Sequence, residues 1–152
     1  MDKEDRYAEI RFVDASGAPA DPNDASQGEP LPVIAVEFET ARDPARRLFG
    51  LMLVDTGCDY THAAPTVFDN AAKAFVRATS YAGVTGKMDS QAHDCTFHIP
   101  MSDGTSITVH ADVIRSPGID GCPYFAILGR NLLRQGKLIL DYRRGIFRIY
   151  FD

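Results

Sequence analysis

Two stretches carry residues whose types and spacing could do chemistry. In Leu51-Met52-Leu53-Val54-Asp55-Thr56-Gly57-Cys58-Asp59-Tyr60-Thr61 an apolar run stops at a carboxylate, followed at once by a hydroxyl and a glycine. Aspartate is rarely buried without partners, so one fixed at the end of a core strand is either hydrogen-bonded in a turn or held for acid–base work. Taken alone, Asp-Thr-Gly also reads as an ordinary turn, because Asp and Thr cap turns and Gly reaches positive φ. About seventy residues downstream, Ala126-Ile127-Leu128-Gly129-Arg130-Asn131-Leu132-Leu133 is a second apolar run that ends at Gly and passes into a helix-like segment.

In their order and spacing the two stretches resemble the retropepsin-like aspartic proteases over residues 48–140. Asp55-Thr56-Gly57 matches the family's catalytic triplet, Asp59 and Thr61 match the positions that follow, and Gly129-Arg130-Asn131-Leu132-Leu133 looks like the segment of the viral members. The resemblance implies an all-β acid-protease barrel with one or two short helices, active as a two-fold homodimer. It implies that Asp55, Thr56 and Gly57 are catalytic and that Asp59 binds substrate backbone and pairs with Arg130. Gly129, Arg130 and Asn131 would support the site. It also implies a flap at Gly83, Val84, Thr85 and Gly86, between the two motifs, that covers bound polypeptide. Cys58 stands where the family usually has Ala or Ser, and the chain before Asp55 is longer than in the viral members.

The chemistry itself asks for two carboxylates, one acting as base towards water and one as acid towards the peptide carbonyl. The chain has one Asp-Thr-Gly and no second Asp-Thr-Gly or Asp-Ser-Gly. A dyad therefore requires a second copy, with Asp55 beside Asp55 across a two-fold axis, the commonest arrangement of soluble oligomers. The expected activity is aspartic endopeptidase; the competing expectation is a catalytically idle domain of the same fold used for dimerisation or peptide binding, since fold alone does not prove activity.

The elements that must position these residues are short strands. Residues 6–13 alternate Ala8, Ile10 and Phe12 with charged residues, predicting one half-buried strand. Residues 14–30 hold Gly, Pro, Asp, Asn and Ser without a large apolar side chain, predicting a flexible loop within a single domain over residues 1–152. Residues 31–54 read as a hairpin delivering Asp55, turned at Ala41-Arg42-Asp43-Pro44. Pro65 opens a short helix. Two glycines around Val84-Thr85 predict a hairpin tip, and a further strand follows the Ser102-Asp103-Gly104 turn. Residues 124–128 read as a buried strand, residues 131–135 as a helix ended by Gly136, and the remainder as strand, turn, strand.

Composition limits the other classes. The 152 residues suit one domain, and a net charge of −5 supplies no field for nucleic acid or anionic lipid, so neither is an expected partner. The longest uncharged apolar run, residues 48–54, is far short of the roughly 20 residues a membrane helix needs. The charged start leads into no apolar signal core, and three cysteines at unpatterned spacings argue against a disulfide framework, so a cytoplasmic protein is expected. His93, Cys95 and His98 lie close in sequence, but strand alternation puts His98 on the opposite face and no zinc-site spacing occurs. No metal and no cofactor are expected.

Overall fold

The computed structural model describes residues 6–39, 47–71, 75–83 and 86–151. The fold is mostly β with two short helices. Eleven strands are seen among the described residues: β1 (Ala8–Glu9), β2 (Arg11–Val13), β3 (Leu31–Glu39), β4 (Arg47–Val54), β5 (Thr61–Ala63), β6 (Phe75–Gly83), β7 (Gly86–Pro100), β8 (Ser106–Arg115), β9 (Ala126–Leu128), β10 (Gly136–Asp141) and β11 (Ile146–Phe151). Helix α1 (Pro65–Ala71) follows β5, and α2 (Arg130–Leu133) follows β9. None of the described helices is long and apolar enough to cross a membrane.

Eight strands form one sheet in the order β2-β3-β4-β9-β5-β8-β7-β6. A further antiparallel pairing of β3 with β7, Glu37 opposite His98 and Phe38 opposite Phe97, closes the strip from β3 to β7 into a barrel. Phe38 seals that seam, its ring meeting Phe97 edge-on at 4.3 Å and Phe125 at 5.0 Å. Met52, Ile34, Val36, Leu128 and Leu132 are buried in the same core. A three-stranded sheet, β1-β11-β10, is formed by the two ends of the described chain.

The hairpin that delivers Asp55 forms as its alternation predicts, with Val33 opposite Leu53 and Phe38 opposite Leu48. Its turn at residues 41–44 lies outside the described residues. Pro65 is the first residue of α1, where a missing N–H costs nothing. Three sequence boundaries need correction. The strand expected over residues 6–13 is two strands, because the chain changes sheets at Ile10: Ala8 pairs with Ile149 in one sheet and Arg11 with Val33 in the other. The strand expected over residues 124–128 is only three residues long, β9: its regular pairing starts with Met52 opposite Ala126, although Phe125 N–H already donates to the Leu51 carbonyl of β4 at 3.0 Å. Helix α2 starts at Arg130 and stops at Leu133, and Gly136 opens β10. Within residues 14–30, the side chains of Asp14, Asp21 and Asp24 each accept a backbone N–H two residues on, from Ser16, Asn23 and Ser26 at 2.8–2.9 Å.

Candidate active site

The site is assembled where β9 runs between β4 and β5. Its pairing with β4 is parallel, Met52 opposite Ala126 and Val54 opposite Leu128, and its pairing with β5 is antiparallel, His62 opposite Ile127. The segment 55–60 connects β4 to β5, so it must pass over the end of β9, and that end is Gly129. A Cβ on Gly129 would lie 2.2 Å from the Tyr60 carbonyl oxygen and 2.8 Å from Thr61 N, both backbone atoms. Only glycine lets the two motifs approach this closely.

Hydrogen bonds fix the carboxylate in that crossing. Asp55 N–H donates to the Leu128 carbonyl at 3.2 Å, tying the end of β4 to the end of β9. Asp55 Oδ1 accepts the Gly57 N–H at 2.8 Å, so one carboxylate oxygen is aimed by its own turn. Asp55 is half-buried while Thr56 and Gly57 are exposed beyond it. Within this chain the Thr56 carbonyl accepts a hydrogen bond from Arg130 Nη1 at 3.0 Å.

The other half of the site is α2. Arg130 N–H donates to the Cys58 carbonyl at 2.8 Å and Asn131 N–H to the Asp59 carbonyl at 3.1 Å, so the helix start is stitched to the Asp55 segment through backbone groups. Asn131 Oδ1 accepts both Thr61 N–H and Thr61 Oγ1–H, each at 2.8 Å, while its Nδ2 donates to the Asp112 carbonyl at 3.1 Å. Thr61 is fully buried, and its Oγ1 also accepts the Gly129 N–H at 3.2 Å. That network satisfies polar groups that would otherwise be costly in the interior. The guanidinium of Arg130 is paired with the Asp59 carboxylate, and the two side chains are 55% and 67% exposed. The pair is therefore an open one in the single chain, and the cost of breaking a buried pair does not apply to it there.

Three side chains sense the charge on Asp55. Burial pushes the Cys58 thiol up, the Asp55 charge adds to this, and Arg130 opposes it. Burial lowers His62, with Asp55 acting against it. Tyr124 is raised to about 12 by burial first, then by its hydrogen bond to Cys122 and the Cys122 charge, with Asp55 contributing further. Cys58, His62 and Tyr124 are thus neutral near pH 7. Sequence reading did not single out Tyr124; its only signal was its place just before β9.

The expected flap is described only at its edges. Gly83 pairs with Gly86 across the β6–β7 hairpin, with Gly86 at a φ of 123°, while Val84 and Thr85 lie outside the described residues. His93, Cys95 and His98 do packing work: the His93 ring lies 4.5 Å from that of Phe68, Cys95 is buried and raised to about 12 chiefly by that burial, and His98 sits between Thr108 Oγ1 and Glu39. Among the described residues no group of three or more His, Cys, Asp or Glu could hold a metal ion.

No family model and no curated protein matches the chain. Among solved structures, it is similar to the EIAV protease complexed with the inhibitor HBY-793, with a TM-score of 0.47 and 23% identity over 72% of this chain and 93% of that one. It is also similar to the simian foamy virus (mac) protease, with a TM-score of 0.43 and 17% identity over 67% and 91% of the two chains. Both TM-scores are below 0.5.

Proposed function

We propose that the protein is an aspartic endopeptidase of retropepsin type, in which Asp55 and its copy in a second chain hydrolyse peptide bonds of an extended polypeptide. The observation that carries this reading is the carboxylate itself: Asp55 sits at the tip of a core strand, one oxygen held by Gly57 N–H, with an exposed turn beyond it. Such a carboxylate is rigid, partly desolvated and open on one side, which is what a general acid–base group needs. It is also single, and one carboxylate cannot be both base and acid in the same step.

With a second copy opposed, two carboxylates about 3 Å apart cannot both ionise, so the pair holds one proton. The ionised member takes a proton from water as the water oxygen attacks the peptide carbon. The protonated member gives its proton to the carbonyl oxygen, leaving a neutral tetrahedral diol. The carboxyl that took the water proton then gives it to the amide nitrogen while the ionised one takes a proton from a diol hydroxyl, so that the C–N bond breaks to an amine and a carboxylic acid and the pair again holds one proton. Thr56 and Gly57, exposed in the single chain, supply the surface on which the two turns meet. Asp59, held by Arg130, flanks the bound backbone.

Incubation of the purified protein with a peptide library, read by mass spectrometry, tests the proposal. Cleavage that vanishes in Asp55→Ala is expected. Cleavage that persists in Asp55→Ala would overturn it, and a folded, dimeric wild type that cuts nothing would favour the idle binding domain.

A further inference from the structure

Beside the Asp55 turn the surface carries an open cleft of about 430 Å3 lined by Asp59, Tyr60, Arg130, Asn131 and Arg134. Its position follows from the crossing described above. Asp59 and Tyr60 come directly after Cys58, and Arg130 reaches the Asp55 turn through its N–H to the Cys58 carbonyl at 2.8 Å and its Nη1 to the Thr56 carbonyl at 3.0 Å. The cleft therefore opens next to the candidate catalytic carboxylate, on the side of α2.

The charges in it do not cancel. Arg130 is committed to the Asp59 carboxylate and to the Thr56 carbonyl. Arg134 lies one helical turn further on, its N–H bonded to the Arg130 carbonyl at 3.0 Å, so the two guanidinium groups belong to one face. The guanidinium of Arg134 has no hydrogen-bond or ion-pair partner among the described residues, although the chain as a whole carries a net charge of −5. Tyr60, 40% exposed, brings a phenol to the same cleft.

We propose that this cleft is a subsite for an acidic side chain of the bound polypeptide, with Arg134 as its anchor and the Tyr60 hydroxyl as a second donor. It rests on the peptidase reading for the identity of the polypeptide as substrate. A guanidinium takes a carboxylate through two parallel hydrogen bonds. The Asp59 carboxylate already in the cleft repels a dianionic phosphate more strongly than a singly charged side chain, so the carboxylate is the matching occupant. An extended chain advances about 3.3 Å per residue, which places the acidic residue within a few positions of the bond to be cut.

The test separates binding from cutting. Fluorescent peptides that are cut by the wild type, or random extended peptides if none is cut, are made in pairs with Glu or Gln at each position in turn. Their affinities are read by anisotropy on Asp55→Asn protein with and without Arg134→Gln. One position is expected to favour Glu over Gln by about three- to fivefold, the range of an exposed ion pair, and this preference is expected to vanish in Arg134→Gln, return in part in Arg134→Lys, and shrink in 1 M salt. No position favouring Glu, or a preference that survives Arg134→Gln, would overturn the subsite. Inorganic phosphate competing as well as the Glu peptide would reassign the cleft as a free-anion site and overturn it equally. Absence of cleavage by the wild type would count against the peptidase alone, since the Arg134-dependent preference for Glu is read from binding.

Discussion

Replacing Gly129 by Ala should push the two motifs of the site apart. The new Cβ would stand 2.2 Å from the Tyr60 carbonyl oxygen and 2.3 Å from its carbon, whereas ordinary contact begins near 3.4 Å, so the segment 55–61 must shift by about 1.2 Å. Neither side can yield through a side-chain rotation, because the atoms involved are backbone on both. Three short bonds span that gap: Arg130 N–H to Cys58 O at 2.8 Å, Asn131 N–H to Asp59 O at 3.1 Å, and Thr61 N–H to Asn131 Oδ1 at 2.8 Å. Overpacking costs about 1–3 kcal/mol and weakening one of these bonds adds about 1 kcal/mol, giving a loss of about 3 kcal/mol. For a domain of this size that lowers Tm by about 6–12 °C. A displacement of about 1 Å at a catalytic group also costs about a hundredfold in rate. Calorimetry and peptide hydrolysis measure the two effects, with Gly118→Ala as control, where a Cβ meets nothing within 4 Å. A Gly129→Ala protein within about 2 °C of wild type would refute the crossing of the two motifs on which the site depends.

Further outcomes follow from the same geometry. Asp55→Asn keeps the side-chain volume and is expected to abolish hydrolysis while leaving the fold intact; unchanged turnover would remove Asp55 from the mechanism. NMR titration of His62 should give a midpoint below 6.5, because burial disfavours its charged form, and the midpoint should fall further in Asp55→Asn, which removes the charge that partly supports it. Since its folded pKa is depressed, the unfolded chain binds the proton first, so stability from neutral His62 is complete above about pH 6.5 and lost as pH falls towards the folded value; a midpoint above 6.5 would contradict this. A double-mutant cycle on Arg130 and Asp59 in the dilute single chain should give a coupling below about 1 kcal/mol, because the pair is open to solvent; a coupling of about 3 kcal/mol would mean it is shielded. Thiol reagents should modify Cys122, which is exposed, and leave Cys95 untouched until the protein unfolds; early modification of Cys95 would show that the barrel opens.

The main lines of the fold were legible because they rest on local pattern. The apolar run into Asp55 could only be a covered strand, and the run into Gly129 likewise; Pro65 and the hairpin over residues 31–54 followed from periodicity and turn chemistry. What was not legible depends on long-range placement. The alternation of residues 6–13 keeps one phase through Ile10, so nothing local reveals that Ala8 and Arg11 join different sheets. The length of β9 was hidden because where its regular pairing starts is set by β4, more than seventy positions away in sequence, with Met52 opposite Ala126. The exposure of the Arg130–Asp59 pair and the cleft it shares with Tyr60 and Arg134 become visible only once the 55–60 segment is seen to pass over β9. Arg130 and Arg134, four apart at a helix start, were the one sequence signal for that cleft.

The claim at the centre is that each active site takes one Asp55 from each of two chains. It is tested most directly by mixing wild type with Asp55→Asn at fixed total concentration, allowing exchange, and measuring peptide hydrolysis. If heterodimers are inactive, activity follows the square of the wild-type fraction, so an equal mixture retains about one quarter of the wild-type rate. An equal mixture that retains one half, with activity strictly proportional to the wild-type chain present, would show that the site is built within one chain and contradict the account.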